Sequence, residues 1–173
     1  EGGRVRAEAR RALETMGVAA VPALVDLLGS TNTAAVLATL EALTALGDGA
    51  HAALVPRLAD PNWLIRRRAA YVLARTATPS IARRFAVMAA SDRDAVVRAA
   101  AIEGLGRSPV AGTVAVVAGA LASDPAIDVR VEAATVLARV PDGAGREALT
   151  RALDDPAFPV RLAARKALAG LPR

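Results

Sequence analysis

Residues that could carry out catalysis are few in this chain, and none is placed beside the partners that catalysis needs. His51 is the single histidine, and the sequence contains no cysteine. Because a nucleophilic triad and an ordinary zinc site each need several such side chains together, we interpret His51 as a partly exposed surface residue. Asp92 and Asp94 lack the further acids of a calcium loop, and helix capping explains Asp155 in the pair Asp154 and Asp155. The sequence therefore predicts a non-enzymatic chain with no metal site and no cofactor.

One segment combines aromatic and basic side chains in a pattern typical of interaction surfaces. Trp63, Arg67, Tyr71 and Arg75 follow one another at four-residue spacing, which aligns them on one face of a helix. The surrounding stretch 57–84 carries seven arginines against a single acid. Because Trp, Tyr and Arg dominate interaction hot spots, this row is predicted to bind a partner. The alternative is packing, with Trp63 in the core and Arg67 stacked on Tyr71.

These side chains are positioned by a phrase that returns six times at near-constant spacing. Its leucine falls at positions 13, 43, 73, 105, 137 and 168. A period of about 30 residues predicts stacked helix pairs, because each pair buries its apolar face only against its neighbours. In the clearest copy, Val129, Ala133, Val136 and Leu137 form one apolar helical stripe. The second helices of the pairs are predicted near residues 4–16, 34–46, 62–76, 94–107, 127–139 and 158–169.

The outward slots of these second helices predict a row of arginines, one from each repeat. The last slot holds Arg75, Arg107 and Arg139. Since stacked helices lie about 8–10 Å apart, these guanidiniums are expected to line one face at that pitch. Glu103 and Glu132 interrupt the row, so a mixed surface is predicted, and a solvated charge row is the alternative. The full set of predicted partner contacts is Trp63, Arg67, Arg68, Tyr71, Arg75, Arg107 and Arg139.

An acid stands six residues before the arginine of four phrases. A carboxylate at this position caps exposed N–H groups at the start of the second helix and meets a guanidinium. We therefore predict a structural ladder that ties repeat to repeat, with four arginines offered to a ligand as the alternative. The degenerate second copy has Ser30 and Val36 in these slots, so the ladder is expected to break there. The matched pairs are Asp60 with Arg66, Asp92 with Arg98, Asp124 with Arg130, and Asp155 with Arg161.

Composition favours tight helix stacking and bounds the other classes. Of 173 residues, 54% are hydrophobic and only 2% aromatic, with alanine supplying much of the apolar share. Alanine lets helices approach closely, and the helical glycines Gly104 and Gly119 are expected at such contacts. The longest apolar run, 110–122, is too short to span a bilayer, and no signal segment opens the chain, so a cytoplasmic location is expected. Residues 1–173 are predicted to form a single repeat domain. Because position 1 is Glu and not Met, we expect this domain to be a piece of a longer protein.

The phrase Asp-Pro-x-x-x-Val-Arg-x-x-Ala-Ala-x-x-Leu resembles the short HEAT-like repeat of the phycobilisome-lyase type. The resemblance covers essentially the whole chain. It implies an all-α, right-handed α–α superhelix, a HEAT-like solenoid of about five and a half helix pairs, with second helices lining the concave face. Members of such families serve as lyase subunits, protein-docking modules and regulatory domains. No residue of this chain carries a chromophore-lyase assignment, and the base pocket of HEAT-like DNA glycosylases has no recognisable version here.

These observations together predict a protein–protein interaction scaffold that binds an acidic or mixed partner segment on the concave face. The formal charge of +5 permits an acidic partner. One alternative is nucleic-acid binding through the same arginines, although such binders usually show denser cationic clusters. Another is a regulatory or docking domain of a larger enzyme or membrane protein. No membrane insertion of this segment is expected, and exposed solenoid ends allow a homodimer.

Overall fold

The computed structural model describes residues 16–140 and 142–171 of the chain. These residues form helices joined by turns and short loops, with no strand among them. The all-α, HEAT-like fold predicted from the sequence is confirmed. The chain divides into two compact units, Glu1–Thr76 and Ala77–Arg173, called unit 1 and unit 2 below. That both belong to a single domain stays a prediction, and the helix predicted over 4–16 lies outside the described residues.

The described part of unit 1 contains two helix pairs whose first helices are partly 3₁₀. Pro56 explains this for the second pair, because a proline lacks the N–H that continues an α-helical ladder. The regular α-helix before it is only four residues long. In chain order the elements are the 3₁₀ turn Gly17–Ala20, α1 (Val21–Asp26), the 3₁₀ turn Leu27–Gly29, α2 (Thr33–Leu46), the 3₁₀ turn Gly47–Ala50, α3 (His51–Leu54), the 3₁₀ turn Val55–Ala59 and α4 (Trp63–Leu73).

Unit 2 contains three regular helix pairs. They are α5 (Pro79–Ser91) with α6 (Ala95–Arg107), α7 (Thr113–Ser123) with α8 (Ile127–Leu137), and α9 (Gly143–Arg151) with α10 (Phe158–Gly170); the 3₁₀ turn Ala152–Asp154 follows α9. Each first helix packs on its own second helix. In addition α5, α7 and α9 pack side by side in one layer, and α6, α8 and α10 pack side by side in another.

The core of unit 2 lies between these two layers and is built from the stripe that the repeat phrase predicts. Val97, Val129 and Val160 are fully buried at equivalent positions of the three second helices. Phe85 of α5, in the first-helix layer, is also fully buried, and its ring lies close to Gly104 of α6. Because the same position is apolar in each repeat, the hydrophobic core is continuous from one repeat to the next along the layers.

Second helices begin within a residue of where the repeat phrase predicts them, but two of them end early. The sequence predicted helices as far as residues 76 and 139, whereas α4 ends at Leu73 and α8 at Leu137. In both cases the N–H two residues after the helix end bonds to a carbonyl only three residues earlier: Arg75 N to Val72 O at 3.1 Å, and Arg139 N to Val136 O at 2.9 Å. Such bonds tighten and terminate the final helical turn.

Gly104 and Gly119, the glycines for which the sequence predicted close helix contact, differ in their surroundings. A Cβ at Gly104 would stand 2.7 Å from two ring carbons of Phe85. The α6 backbone therefore lies closer to that ring than a residue with a Cβ atom would allow. A Cβ at Gly119 would meet nothing within 4 Å. The expectation of close helix contact is confirmed for Gly104 and wrong for Gly119, which lies exposed on α7.

Candidate partner-binding surfaces

The arginine ladder joins consecutive repeats through side chains. Arg98 donates Nε to Asp124 Oδ2 at 2.7 Å and Nη2 to Asp124 Oδ1 at 2.8 Å. One repeat later, Arg130 donates Nε to Asp155 Oδ2 at 2.9 Å and Nη2 to Asp155 Oδ1 at 3.0 Å. The carboxylate partner is therefore the aspartate of the following repeat, whereas the sequence paired each arginine with the aspartate six residues before it.

Within a phrase, the contact is between the arginine and the main chain of that earlier aspartate. Nη1 of the slot arginine donates to the aspartate carbonyl oxygen at 2.7–2.9 Å in all four phrases. Each aspartate Oδ1 also accepts the N–H two residues later, at 2.8–2.9 Å. Each slot arginine thus fastens the loop of its own repeat. Arg98 and Arg130 also fasten the loop of the next repeat through its aspartate carboxylate. The phrases are Asp60 with Arg66, Asp92 with Arg98, Asp124 with Arg130, and Asp155 with Arg161.

Burial and pairing together set the charge states of the ladder. Burial alone would raise the pKa of Asp124, but hydrogen bonds from Arg98 and the Ala126 N–H outweigh it, and the net pKa is lowered. The hydrogen bond from Arg130 lowers the pKa of Asp155 against the opposing effect of burial. Both pairs are largely shielded from solvent, with side-chain exposures of 11% and 6% for Arg98 and Asp124. These two pairs are consequently a structural feature of unit 2, and their guanidiniums are turned inward.

The degenerate copy is compensated by an arginine from the next repeat. Val36 occupies the slot of the ladder arginine and is buried as an apolar side chain. Arg68 supplies the missing loop contact, donating Nη1 to Leu28 O at 2.6 Å and to Ser30 O at 2.9 Å. Burial, followed by the neighbouring charge of Arg67, lowers the pKa of Arg68. The sequence placed Arg68 among the partner contacts, but its Nη1 is engaged with the unit 1 backbone, which gives Arg68 a structural contact instead.

The α4 row, defined as Trp63, Arg67, Tyr71 and Arg75, lies on the outer face of α4 and of the turn that follows it. Trp63 is 41% exposed and Tyr71 is 40% exposed, so neither ring is enclosed in the core. Arg75 places its guanidinium carbon 3.7 Å from the centre of the Tyr71 ring, and its Nη2 donates to Tyr71 Oη at 2.7 Å. The cation that stacks on Tyr71 is thus Arg75, where the sequence considered Arg67.

Two of the predicted contacts, Arg107 and Arg139, lie with Glu103 and Glu132 in a mixed-charge cluster in unit 2. We call Glu103, Arg107, Glu132 and Arg139 the Glu–Arg cluster. Arg107 donates Nη2 to Glu103 Oε1 at 2.9 Å along α6, and their side chains are 40% and 37% exposed. Burial and then the charge of Glu103 raise the pKa of Glu132, while Arg139 and Arg107 act in the opposite direction. Arg107 and Arg139 therefore already have carboxylates as neighbours.

Sequence reasoning missed an apolar groove between α8 and α10. The groove has a volume of about 500 Å³, and Lys166 is the one charged residue that lines it. Its apolar walls include Val131 on α8 and Leu162 on α10. A signal was present in the sequence, because both positions are outward slots of the repeat, where a solvated helix would carry polar residues.

No metal-binding group is found in the part of the chain that the structure describes. Within 16–140 and 142–171, no group of three or more His, Asp or Glu side chains is placed to hold a metal ion. His51 Nε2 lies 2.7 Å from Thr76 Oγ1 and 3.5 Å from Asp48 Oδ1, contacts that fasten α3 within unit 1. Across the same residues, no helix has both the length and the apolar character needed to cross a membrane.

Comparisons with known proteins agree with this repeat architecture. A family model described as HEAT repeats matches residues 51–126. No curated protein sequence matches the chain. A chain from the structure of the complex of CpcE and CpcF of phycocyanin lyase from Nostoc sp. PCC7120 is similar at 25% identity, with a TM-score of 0.78, covering 87% of this chain and 98% of that one. YibA of Escherichia coli is similar at 20% identity and a TM-score of 0.47, covering 86% of this chain and 69% of its own.

The repeat phrase, the stacked helix pairs of each unit and these two kinds of match agree with one another. The chain therefore has an all-α, HEAT-like fold, with a HEAT-repeat match over residues 51–126 and a similarity in fold to a chain of that phycocyanin lyase complex.

Proposed function

We propose that this chain is a non-enzymatic scaffold that binds a segment of a partner protein on the outward faces of its second helices. The observation that carries the proposal is the α4 row, in which an indole and a phenol stand exposed between guanidiniums on one helix face. Large aromatic rings are costly to leave in water, and together with arginine they supply most of the binding energy in protein interfaces. The similar chain from Nostoc belongs to a complex of two proteins, which supports the same class of function.

The charges of the two units favour a partner that carries both signs, with an excess of acid opposite α4. In unit 1, Arg67 and Arg75 lie on the α4 row, and Tyr71 rather than a carboxylate holds the Arg75 guanidinium. In unit 2, Arg107 is already bonded to Glu103. A carboxylate of the partner gains a charge-assisted hydrogen bond at the α4 row, whereas at the Glu–Arg cluster it must compete with an existing pair.

The experiment is quantitative capture of partners from a nuclease-treated lysate of the source organism. Three tagged forms are compared: the unchanged chain, Arg75→Glu with Arg107→Glu, and Arg84→Glu. Arg84 is the matched control, because it is an exposed arginine on α5, in the first-helix layer. We expect a protein partner that is retained by the unchanged chain and by the control and is lost from the double variant. The helical circular dichroism of all three forms should be equal.

Two outcomes contradict the proposal. Equal capture by the double variant and the unchanged chain would show that the predicted arginines do not contribute. Recovery of nucleic acid alone when nuclease is omitted, with an affinity that falls steeply as salt rises, would favour nucleic-acid binding instead, because each phosphate contact releases counterions.

A further inference from the structure

We propose that the groove between α8 and α10 receives an amphipathic helix of the partner protein, with a carboxylate of that helix placed on Lys166. This inference rests on the proposed scaffold function and gives the partner a chemistry. It is independent of the α4 row, because the groove lies entirely within unit 2.

The walls of the groove are apolar by composition and by the way their polar atoms are bonded. Val131, Leu162, Pro159 and Ala163 supply aliphatic surface from the two helices. Thr135 also lines the groove, and its hydroxyl donates to Val131 O at 3.0 Å, so it turns its hydrogen back into its own helix. A ligand therefore meets hydrocarbon along most of the groove and gains free energy mainly by excluding water from it.

The apolar surface extends beyond the groove toward the start of both helices. Ile127 stands one helical turn before Val131 and is 44% exposed, and Phe158 stands one turn before Leu162 and is 64% exposed. These four side chains form two columns at equivalent positions of consecutive repeats. Exposed aliphatic and aromatic groups that continue a groove are typical of a protein-docking surface and are expensive to leave in water.

The form of the site favours a helix over a small molecule. Thr135, Pro159, Leu162 and Lys166 are exposed while they line the groove, so it is a surface trough and not an enclosed cavity. Small ligands prefer concave sites that cover most of their surface. An amphipathic helix instead lays one apolar face, with anchors at i, i+3 or i+4, and i+7, along a trough between two helices.

The charge of the groove then selects among such helices. Lys166 is its one charged lining residue and the single lysine of the whole chain. Arg139 does not line the groove: it lies exposed about one helical turn beyond Thr135, just past the end of α8, with Glu132 as a charged neighbour. A helix with an acidic residue beside its apolar anchors satisfies this cationic side, and a basic amphipathic helix is repelled by it.

The test is selection from a displayed library of helical peptides, about 15 residues or roughly four turns long, on the whole chain. We expect enriched sequences with apolar residues at i, i+3 or i+4, and i+7, and an acid on the adjoining position. For synthetic copies of these peptides, Leu162→Glu should weaken binding at least tenfold. Val87→Glu, at a 66% exposed valine on α5, should leave binding unchanged and serves as the matched control. Both substitutions are at exposed positions, so helical circular dichroism should be preserved.

Lys166 provides a second and independent readout. Lys166→Glu should weaken the selected peptides about three- to tenfold, and replacing the peptide acid with lysine should restore the affinity. Because the chain has one lysine, reductive methylation reports on that single ε-amino group, and a bound peptide should slow its modification.

Selection of no helical binder, or of binders that Leu162→Glu and Lys166→Glu leave unaffected, overturns the inference. Uptake of a small apolar dye in the groove without any helical binder also overturns it and makes the groove a small-molecule site. The substitutions of the two proposals separate them. If selected peptides bind Arg75→Glu but not Leu162→Glu, and Arg75→Glu loses no lysate partner, the groove is supported and the α4 row is contradicted. If a lysate partner is lost with Arg75→Glu but kept by Leu162→Glu, the α4 row is supported and the groove is contradicted.

Discussion

Arg98 and Asp124 are joined by two parallel hydrogen bonds, Nε to Oδ2 at 2.7 Å and Nη2 to Oδ1 at 2.8 Å. The remaining nitrogen, Nη1, donates to Asp92 O at 2.9 Å. One guanidinium therefore joins α6, the loop before it and the loop before α8. This planar, five-donor geometry is specific to arginine, which explains why the slot is not filled by lysine.

Neutralising Asp124 should destabilise unit 2 far more than neutralising a neighbouring exposed acid. Asp124→Asn leaves the Arg98 guanidinium shielded from water without its counter-charge, and loss of one partner of a buried pair costs about 3–5 kcal/mol. Asp128→Asn, at an exposed position of α8, should change the free energy of unfolding by less than about 0.5 kcal/mol. Urea unfolding followed by circular dichroism measures both. Equal effects from the two substitutions would show that the ladder does not stabilise the fold.

The ladder also predicts a loss of stability in acid. The folded-state pKa values of Asp124 and Asp155 are lowered by their arginines, so the unfolded chain binds more protons than the folded chain as the pH falls. The stabilisation is present above the unfolded-state pKa of about 3.9 and is lost as the pH drops through the folded values. Glu132 acts in the opposite sense: its pKa is raised in the folded chain, so its protonation as the pH falls stabilises the folded state.

The measurement for this prediction is the difference in unfolding free energy between the unchanged chain and Asp124→Asn with Asp155→Asn, taken at several pH values from neutral to strongly acid. Glu132 is common to both chains and cancels. The difference should be largest near neutral pH and shrink below about pH 4. A difference that is constant with pH would contradict the lowered pKa values.

Arg68 is predicted to be a structural residue of unit 1. Arg68→Ala removes two charge-assisted hydrogen bonds to the carbonyls of Leu28 and Ser30 and should cost about 1–3 kcal/mol. Arg67→Ala, beside it on the outward α4 row, should be nearly neutral for stability. Trp63 is the single tryptophan of the chain and lies in unit 1, so its fluorescence during denaturation reports the unit concerned. If Arg67→Ala shifted the midpoint as much as Arg68→Ala, the compensating contact would be wrong.

Gly104 and Gly119 should respond to alanine in opposite directions. Gly119→Ala meets nothing within 4 Å and should stabilise by up to about 1 kcal/mol, the difference in helix propensity. Gly104→Ala drives a methyl group against the buried Phe85 ring, and overpacking of about 1–3 kcal/mol should exceed the same gain in propensity. Thermal unfolding followed by circular dichroism measures both. A stabilised Gly104→Ala variant would mean that the ring moves aside at little cost.

The repeat could be predicted from the sequence because its physical cause is local. A valine, an alanine and a leucine at helical spacing bury the same stripe in each copy, so the second helices begin within a residue of their predicted starts. The ladder was predicted as a set of residues but with the wrong carboxylate partner. Its arginines bond to the aspartate of the next repeat because of the distance between two stacked helices. The spacing of residues along the sequence does not reveal that distance.

The role of Arg68 and the existence of the groove depend on tertiary packing. Arg67 and Arg68 are adjacent and chemically identical in the sequence, yet one faces solvent and the other caps carbonyls about 40 residues earlier in the chain, because the helix turns them about 100° apart. Val131 and Leu162 look like scattered outward residues in the sequence until α8 and α10 pack side by side and leave a groove between them. Helical periodicity therefore determined the fold of this chain, whereas the distance between stacked helices decided which side chains are engaged internally and which remain for a partner.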